Sequence, residues 1–288
     1  KSPKDMAPGD TGAEENAWNT AAPAVALAFN PNATSSTLWW NALKSYSVNT
    51  YSHPDDKRPG RMIGQQPLAE LATTENVSTD WSLINHGFFH PDYVQVSGQH
   101  LGEAWIILSL GDALNGTNMA EQYVPYSLHN VKETWEKVMR PLLLPTGEFA
   151  YPAGNDWTYH CSTNQGYFAF IATALDSYDA AEAEARALEH VKARREASPA
   201  GRLLGDSNLE WWWEPLVCKR MSTALLHHVL RPGIVKRPDV DATVDRLTTT
   251  VQLADAKIWW HRTPHYFFSV SSQKPRLGYF VPLGGYED

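Results

Sequence analysis

Apolar residues recur at helical spacing along most of this chain, in segments separated by loops rich in Gly, Pro and Asn. In segment 94–115, for example, Leu101, Ala104, Trp105 and Leu108 are spaced so that they share one helix face. The pattern therefore predicts a mainly α-helical chain. The predicted helices are 13–29, 35–51, a short turn at 68–72, 94–115, 120–142, 160–175, 180–197 and 210–230.

Near residue 247 the residue pattern changes from one typical of helices to one typical of strands. Segments 248–253 and 266–272 are rich in β-branched and aromatic residues, which is typical of strands. A lone hairpin is at best marginally stable, so we expect these strands to begin a larger, truncated β-rich domain. The predicted division is a helical domain over 1–246 and the start of an antiparallel β-domain over 247–288. Successive helix pairs with polar loops predict helical hairpins arranged in a ring.

Charge and composition narrow the classes of partner. The net charge of −8 argues against nucleic acid, because phosphate binding needs clustered Lys and Arg. No segment approaches the roughly 20 apolar residues of a membrane span, so no membrane partner is expected. The 12 Trp, 12 Tyr and 9 Phe are mostly core residues, but adjacent pairs such as Trp39-Trp40 cannot all face one core. We expect at least one such pair to face a cleft.

The cysteines and glycosylation sequons bear on localisation. Cys161 and Cys218 permit one disulfide without requiring it. Asn32, Asn76 and Asn115 each begin an Asn-x-Ser/Thr sequon, which is compatible with a secreted glycoprotein. The chain opens without a signal peptide, so we expect it to be processed or trimmed. A secreted or periplasmic location is the prediction.

Three segments combine polar and aromatic side chains at or just before helix starts. Segment 80–93 is the densest, and the alternative for it is a polar loop whose histidines only cap and hydrogen-bond. Its titratable and amide groups are Asp80, Asn85, His86, His90, Asp92 and Tyr93. The other two segments are 11–19, with Asn16 and Trp18, and 151–160, with Asn155, Asp156, Trp157 and His160; Glu103 follows on the next predicted helix. In a ring of hairpins these loops would converge on one cleft.

These residue types suit β-elimination of a uronic-acid glycoside. The proton on C5 becomes acidic enough only when donors neutralise the adjacent carboxylate, a base then removes it, and an acid protonates the leaving oxygen at C4. Asn16 or Asn155 could neutralise the carboxylate. His86 or His90 could be the base, and Tyr93 the acid or a combined acid and base.

The same residues carry a family resemblance. The segment from Asp80 to His86, with Tyr93 after it, resembles the Asp-Gly-Ser-Phe-x-x-His…Tyr segment of the (α/α)-toroid polysaccharide lyases. This group contains chondroitin and hyaluronan lyases, xanthan lyase and the heparinase II/III-like enzymes. Segment 11–16 is similar to their Thr-Gly-Ala-Asn segment, and 260–272 to the His-Arg-x-x-x-Tyr-x-Phe stretch that opens their β-sandwich.

The resemblance implies a mainly α fold: an incomplete (α/α) toroid of helical hairpins followed by the start of an antiparallel β-sandwich. It implies a polysaccharide lyase with His86 as catalytic imidazole, Tyr93 as proton donor and Asn16 as carboxylate neutraliser. The interval from His86 to Tyr93 is shorter than is usual in the family, so His90 is an alternative for the imidazole. The expected partner is a uronic-acid-containing polysaccharide or oligosaccharide. Substrate contacts are expected from Trp18, Asn85, Glu103, Asn155, Asp156, Trp157 and His160.

Two other functions remain open at the level of the sequence. A glycoside hydrolase on an α/α toroid would pair Asp80 or Glu103 with Asp156 across the scissile bond. A non-catalytic relative would use the aromatic groove only to bind glycans. No cofactor is expected; a structural or charge-neutralising cation stays open, and His86, His90 and Asp92 could contribute to a zinc site.

Overall fold

The computed structural model describes residues 11–154, 163–198, 213–233, 235–236, 238–239, 242–272 and 276–284. Over these residues the chain is mainly helical, with a small antiparallel sheet near its C-terminal end, as the sequence predicts. The helices are α1 (Ala13–Asn19), α2 (Ala21–Phe29), α3 (Ser36–Thr50), α4 (Leu68–Leu71), α5 (Pro91–Asn115), α6 (Met119–Ser127), α7 (Val131–Thr134), α8 (Gln165–Leu175), α9 (Tyr178–Ala197) and α10 (Trp213–Leu230). The strands are β1 (Met62–Ile63), β2 (Gln66–Pro67), β3 (Ile84–Asn85), β4 (Phe88–Phe89), β5 (Thr249–Leu253), β6 (Ile258–Arg262), β7 (Tyr266–Ser271) and β8 (Leu277–Pro282).

Helix α5 is the central element of the helical part. It contacts α1, α2, α6, α8 and α10, and every residue from 91 to 102 is buried. The close approach of α2 depends on Gly111, where an added Cβ would lie 2.6 Å from the Cα of Ala28. The helix begins at Pro91, three residues earlier than predicted, because proline suits the first turn and the His90 side chain accepts a hydrogen bond from the Asp92 amide. Tyr93 therefore belongs to a helix and not to a loop.

The predicted helix 13–29 is wrong as a single element, since it is divided between α1 and α2 at Thr20. Pro23 explains the division. Proline has no amide hydrogen for the Asn19 carbonyl, and its ring crowds that carbonyl, so Pro23 disfavours an unbroken helix through residue 19.

The predicted helix 120–142 is also wrong as a single element. It is replaced by α6, α7, a π-helical turn (Trp135–Met139) and a 3₁₀ turn (Arg140–Leu142). Asn130 causes the first break with a left-handed backbone, φ +58°. Its side-chain amide donates to the Tyr51 carbonyl at 2.8 Å and to buried Asp56 at 2.9 Å, and these buried bonds favour the break.

Strands β5 to β8 form one antiparallel sheet in sequential order. The strands predicted at 248–253 and 266–272 are confirmed to within one residue as β5 and β7. Along β6, Ile258, Trp260 and Arg262 are buried, whereas Trp259 is exposed, so one face of the sheet packs inward. Trp260 shares a hydrophobic cluster with Trp135 of the π-helical turn, which joins the sheet to the helices.

Arg262 strengthens this junction with buried hydrogen bonds. Its guanidinium is 1 % exposed and donates to the carbonyls of Pro141, Leu143 and Val244. Burial lowers the pKa of Arg262 to about 10, so the group remains a cation at neutral pH.

Two features bear on the predicted location. None of the helices in the described ranges is both long and apolar enough to cross a membrane. Of the sequon asparagines, Asn32 is exposed, whereas Asn76 is buried and its amide donates to the Asn49 carbonyl. A glycan on Asn76 would break that bond. Cys218 is exposed on α10, and Cys161 lies outside the described residues.

Candidate functional site

The hairpin of β3 and β4 presents His86 at its tip. Ile84 pairs with Phe89, and both are buried in the hydrophobic core, which anchors the two short strands. His86 and Gly87 form the two-residue turn with φ of +52° and +85°. Positive φ at both positions is typical of the tight turns that join antiparallel strands, and only glycine adopts it without cost. The buried strand pair therefore holds His86 in a strained and exposed position.

The hydroxyl of Tyr93 meets this imidazole. Tyr93 Oη lies 2.8 Å from His86 Nδ1, and the two rings cross at 61°. Tyr93 is 2 % exposed and lies in the first turn of α5, so its ring is fixed by packing. The arrangement couples a buried phenol to an accessible imidazole over a distance that permits proton transfer.

His90, the alternative imidazole, has different surroundings. It is fully buried, and its Nδ1 accepts the Asp92 amide hydrogen at the start of α5. Its ring contacts that of Tyr93 at 4.8 Å. Tyr151, which sequence reasoning missed, donates to Asp92 at 2.8 Å. His90 thus caps the helix and supports Tyr93.

Helix α1 supplies the neighbouring groups. Glu14 accepts hydrogen bonds from Asn85 Nδ2 at 3.0 Å and from Trp18 Nε1 at 3.1 Å. Burial raises the pKa of Glu14, although the hydrogen bonds from Trp18 and Asn85 partly offset this effect. Glu14 was not predicted from the sequence. The signal that could have found it is its position four residues before Trp18, which places both side chains on one helix face.

Asn16 lies on α1 but on another side of that helix. Two residues along an α-helix are roughly 200° apart around its axis, so Asn16 does not share the face on which Glu14 meets Asn85. Its amide nitrogen donates to the Gly12 carbonyl at 2.8 Å. An amide nitrogen has two hydrogens, so this bond uses one of its two donors.

Further along α5, the Glu103 carboxylate is surrounded by a histidine and two cationic side chains. Its carboxylate accepts from His100 Nδ1 at 3.0 Å, Arg220 Nη1 at 2.9 Å and Lys219 Nζ at 3.0 Å. Burial alone would raise the pKa of Glu103, but the hydrogen bond from His100 and the charges of Arg220 and Lys219 hold it well below its usual range. Lys219 and Arg220 were not predicted as site residues, and a search for a counter-charge to Glu103 could have found them.

Trp18 connects this cluster to the hairpin. Its ring lies 4.5 Å from that of His100, and the indole is 56 % exposed. His100 is 5 % exposed, and burial lowers its pKa, so the ring is neutral at neutral pH. Its Nε2 atom is buried and has no hydrogen-bond partner among the residues that the structure describes. The exposed indole and Glu14 also border a shallow depression of about 290 Å³.

The remaining predicted residues divide into two groups. Asp80 serves the local fold, since it accepts from Ser82 Oγ at 2.6 Å and from the Asp255 amide at 2.7 Å. The predicted site residues that lie outside the described ranges are Asn155, Asp156, Trp157 and His160.

A metal centre is not evident in the ranges that the structure covers. Within them, no group of three or more His, Cys, Asp or Glu side chains is placed to hold a metal ion. In the set considered for zinc, His90 Nδ1 is occupied by the Asp92 amide, and Asp92 Oδ1 by Tyr151.

An exposed imidazole, a buried phenol and a buried amide bonded to the half-buried carboxylate of Glu14 thus lie within one small region. Comparisons of the chain with models of protein families, with curated proteins and with solved structures find no match.

Proposed function

We propose that the chain is a polysaccharide lyase that cleaves a uronic-acid-containing glycan by β-elimination. The observation that carries the proposal is the 2.8 Å contact between Tyr93 Oη and His86 Nδ1. His86 is exposed to an incoming sugar, while Tyr93 is fixed beneath it by burial. The pair thus combines a group that can accept a proton with one that can donate it.

In the proposed reaction His86 removes the proton from C5 of the uronate. The electron pair of the C5–H bond forms the C4–C5 double bond, and the C4–O bond breaks. Tyr93 donates its proton to the leaving glycosidic oxygen. The tyrosinate then recovers a proton from the imidazolium across their hydrogen bond, which restores both groups. His86 is preferred over His90 as the base because His90 Nδ1 already accepts the Asp92 amide hydrogen at the start of α5.

The family resemblance assigns neutralisation of the substrate carboxylate to Asn16, which has an amide hydrogen beyond the one donated to Gly12. Since Asn16 does not share the α1 face of Glu14, this role requires the uronate carboxylate to reach the other side of α1. Asn85 positions the hairpin through its bond to Glu14. Trp18 offers an exposed ring for the apolar face of a sugar. Lys219, bound by Glu103, which also holds the His100 ring that contacts Trp18, is suited to a second acidic residue of the polymer. Asn155, Asp156, Trp157 and His160 remain predicted contacts.

Of the carboxylates predicted for a glycoside hydrolase, the two in the described ranges, Glu103 and Asp80, do not suit that reaction; Glu14, whose pKa burial raises, has the property that a hydrolase acid needs. A hydrolase needs a carboxylic acid with a raised pKa near the glycosidic oxygen. The pKa of Glu103 is instead lowered by His100, Arg220 and Lys219 against the effect of burial, and Asp80 is occupied by local hydrogen bonds. Neither residue suits the role of general acid.

The proposal includes the architecture and location that the family resemblance implies. The helical part would be an incomplete (α/α) toroid, and β5 to β8 would begin an antiparallel β-sandwich. The consecutive helices α5 and α6, and likewise α8 and α9, pack against each other, as the hairpins of such a toroid would. A secreted or periplasmic location would expose the enzyme to its polymer.

An absorbance assay tests the function directly, because β-elimination creates an unsaturated uronate that absorbs in the ultraviolet. The chain is incubated with hyaluronan, chondroitin, heparan sulfate and alginate. We expect His86→Ala and Tyr93→Phe each to lower the rate by about 10²- to 10⁴-fold, as is typical of lost acid–base groups. Reducing ends without the chromophore would instead identify a hydrolase, and binding without either product a glycan-binding protein.

Matched variants control for folding. His265→Ala removes an exposed histidine from the β6–β7 turn, and Tyr123→Phe removes a buried hydroxyl that bonds Ser47 at 2.7 Å. Both should leave the rate unchanged. Full activity of either His86→Ala or Tyr93→Phe, with circular dichroism of the folded chain, would overturn the assignment.

A further inference from the structure

A second cavity lies between α3, the β1–β2 hairpin and α6. Its volume is about 460 Å³, within the range of pockets that hold small molecules. The side chains that line it are Trp40, Lys44, Gln65, Gln66, Gln122 and Tyr126. The His86–Tyr93 pair belongs to the β3–β4 hairpin and α5, so different elements form the two sites.

Lys44 gives this cavity a positive charge. The residue is 9 % exposed, and its ammonium group donates to Gln66 Oε1 at 2.7 Å. The same group lies 5.7 Å from the ring centroid of Tyr126, within the range of a cation–π contact. Among the residues that the structure describes, none that lines the cavity is acidic. In a chain of net charge −8, an enclosed cation without a lining carboxylate favours an anionic ligand.

The other lining groups suit a sugar ring. Trp40 is half-buried, and its ring meets that of Tyr126 at 80° with 6.3 Å between centroids, which forms an apolar corner. Gln65 and Gln122 are exposed at the rim, and each primary amide can both donate and accept. Vicinal hydroxyl groups need such paired donors and acceptors, whereas the C–H faces of a pyranose pack on aromatic rings.

Gly64 keeps the cavity open on the hairpin side. Its φ is +56°, and an added Cβ would lie 2.6 Å from the Tyr126 hydroxyl. A larger residue would therefore be strained and would displace the aromatic wall. The hairpin approaches α6 closely only because glycine occupies this position.

From these groups we infer that the cavity is an accessory binding site for an acidic hexopyranose, with Lys44 on the carboxylate, Trp40 and Tyr126 on the ring faces and the glutamines on the hydroxyls. The choice of a uronate as the acidic sugar rests on the proposed function. The site would hold a distant part of the polymer while another part is cleaved, so binding here raises the local concentration of substrate.

Fluorine NMR tests the site without reference to catalysis. The full chain is labelled with 5-fluorotryptophan, and the resonances of Trp40 and Trp18 are assigned with Trp40→Phe and Trp18→Phe. D-glucuronate and its uncharged counterpart D-glucose are then titrated separately into the labelled chain, up to millimolar concentrations. We expect glucuronate to shift the Trp40 resonance at a lower concentration than glucose. Lys44→Met should raise the midpoint at least about tenfold, a loss of 1.4 kcal/mol.

Control variants and resonances separate the outcomes. Lys192→Met, at a side chain 63 % exposed on α9, should not change the midpoint. The other tryptophan resonances report whether Lys44→Met is folded, and Gln65→Ala at the rim should weaken binding by itself. A Trp40 resonance that never shifts, or that shifts equally in Lys44→Met, overturns the accessory site. If glucuronate shifts the Trp40 resonance as expected but no ultraviolet-absorbing product forms from any polymer, only the lyase proposal is overturned.

Discussion

Replacing Glu103 by Gln should destabilise the chain strongly, because this carboxylate is the counter-ion of a buried cluster. Its side chain is 16 % exposed, and that of Arg220 is 4 % exposed. Four donors point at it, from Gln99, His100, Lys219 and Arg220, over 2.9 to 3.1 Å. A glutamine of the same size would keep one acceptor oxygen, but its amide nitrogen would face cationic donors.

The expected magnitude is set by Arg220. Removing one partner of a buried ion pair costs about 3–5 kcal/mol, because the other charge remains buried and unpaired. Lys219 is 52 % exposed, so its pair with Glu103 adds only about 0–1 kcal/mol after solvent screening. We expect Glu103→Gln to lose about 3 kcal/mol of unfolding free energy, a large share of the roughly 5–15 kcal/mol that is usual for a domain.

The stability difference between wild type and Glu103→Gln should also depend on pH. His100, Arg220 and Lys219 outweigh burial and lower the pKa of Glu103 below its ordinary 4.5. A carboxylate with a depressed pKa contributes stability that is complete above its unfolded pKa and is lost as the pH falls through its folded pKa. The difference between wild type and Glu103→Gln should therefore be full at neutral pH and become smaller below pH 4.5.

Urea unfolding followed by tryptophan fluorescence measures both quantities, at about pH 7 and about pH 3. Glu189→Gln is the matched control: its side chain is 76 % exposed, its partner Lys192 is 3.6 Å away, and its effect should stay within about 0.5 kcal/mol. Equal stability of wild type and Glu103→Gln at neutral pH, or a gap that does not narrow in acid, would refute the reasoning.

Two further substitutions test the elements that frame the site. Arg262→Met should lose at least about 2 kcal/mol in the same titration, since it removes the Arg262 donor from the carbonyls of Pro141, Leu143 and Val244, of which Val244 keeps the Leu247 amide hydrogen; exposed Arg58→Met is the control, and an equal effect of both would contradict the prediction. Gly87→Ala should lose about 1 kcal/mol because φ is +85°, and the rate of product formation should fall as His86 moves. Gly233→Ala, where no atom of the described ranges lies within 4 Å of the added Cβ, should change neither quantity.

Local sequence signals predicted most individual elements. The apolar period and Ser35 predicted a helix at 35–51, and α3 spans Ser36–Thr50. Of the two errors in helix bounds, the division at Thr20 follows from Pro23, a local signal that the prediction overlooked, whereas a distant contact decided the break at Asn130. Asn130 is an ordinary residue in a helical pattern, yet its amide reaches Tyr51 and Asp56 only in the folded chain, and those bonds favour a break that periodicity does not predict.

The candidate site likewise combines contacts between residues close in sequence with contacts between distant ones. His86 and Tyr93 are seven residues apart, so a turn followed by a helix brings them together locally, and sequence reasoning selected both. Glu103 was selected as well, but its partner Arg220 comes from a helix 117 positions later. The predicted role of Glu103 in substrate binding therefore overlooked the ion pairs that hold it.

The sequence by itself determined the helical character, the late change to strands and the residues with candidate chemistry, because periodicity and residue type are local properties. The tertiary structure decided which of those residues meet. In the folded chain His90 is buried, His86 is exposed, and Glu14 accepts a hydrogen bond from Asn85. Lys44 of α3 lines a cavity closed by the β1–β2 hairpin and α6. Burial and pairing depend on how distant segments pack, and those contacts set both the accessibility and the charge state of each group.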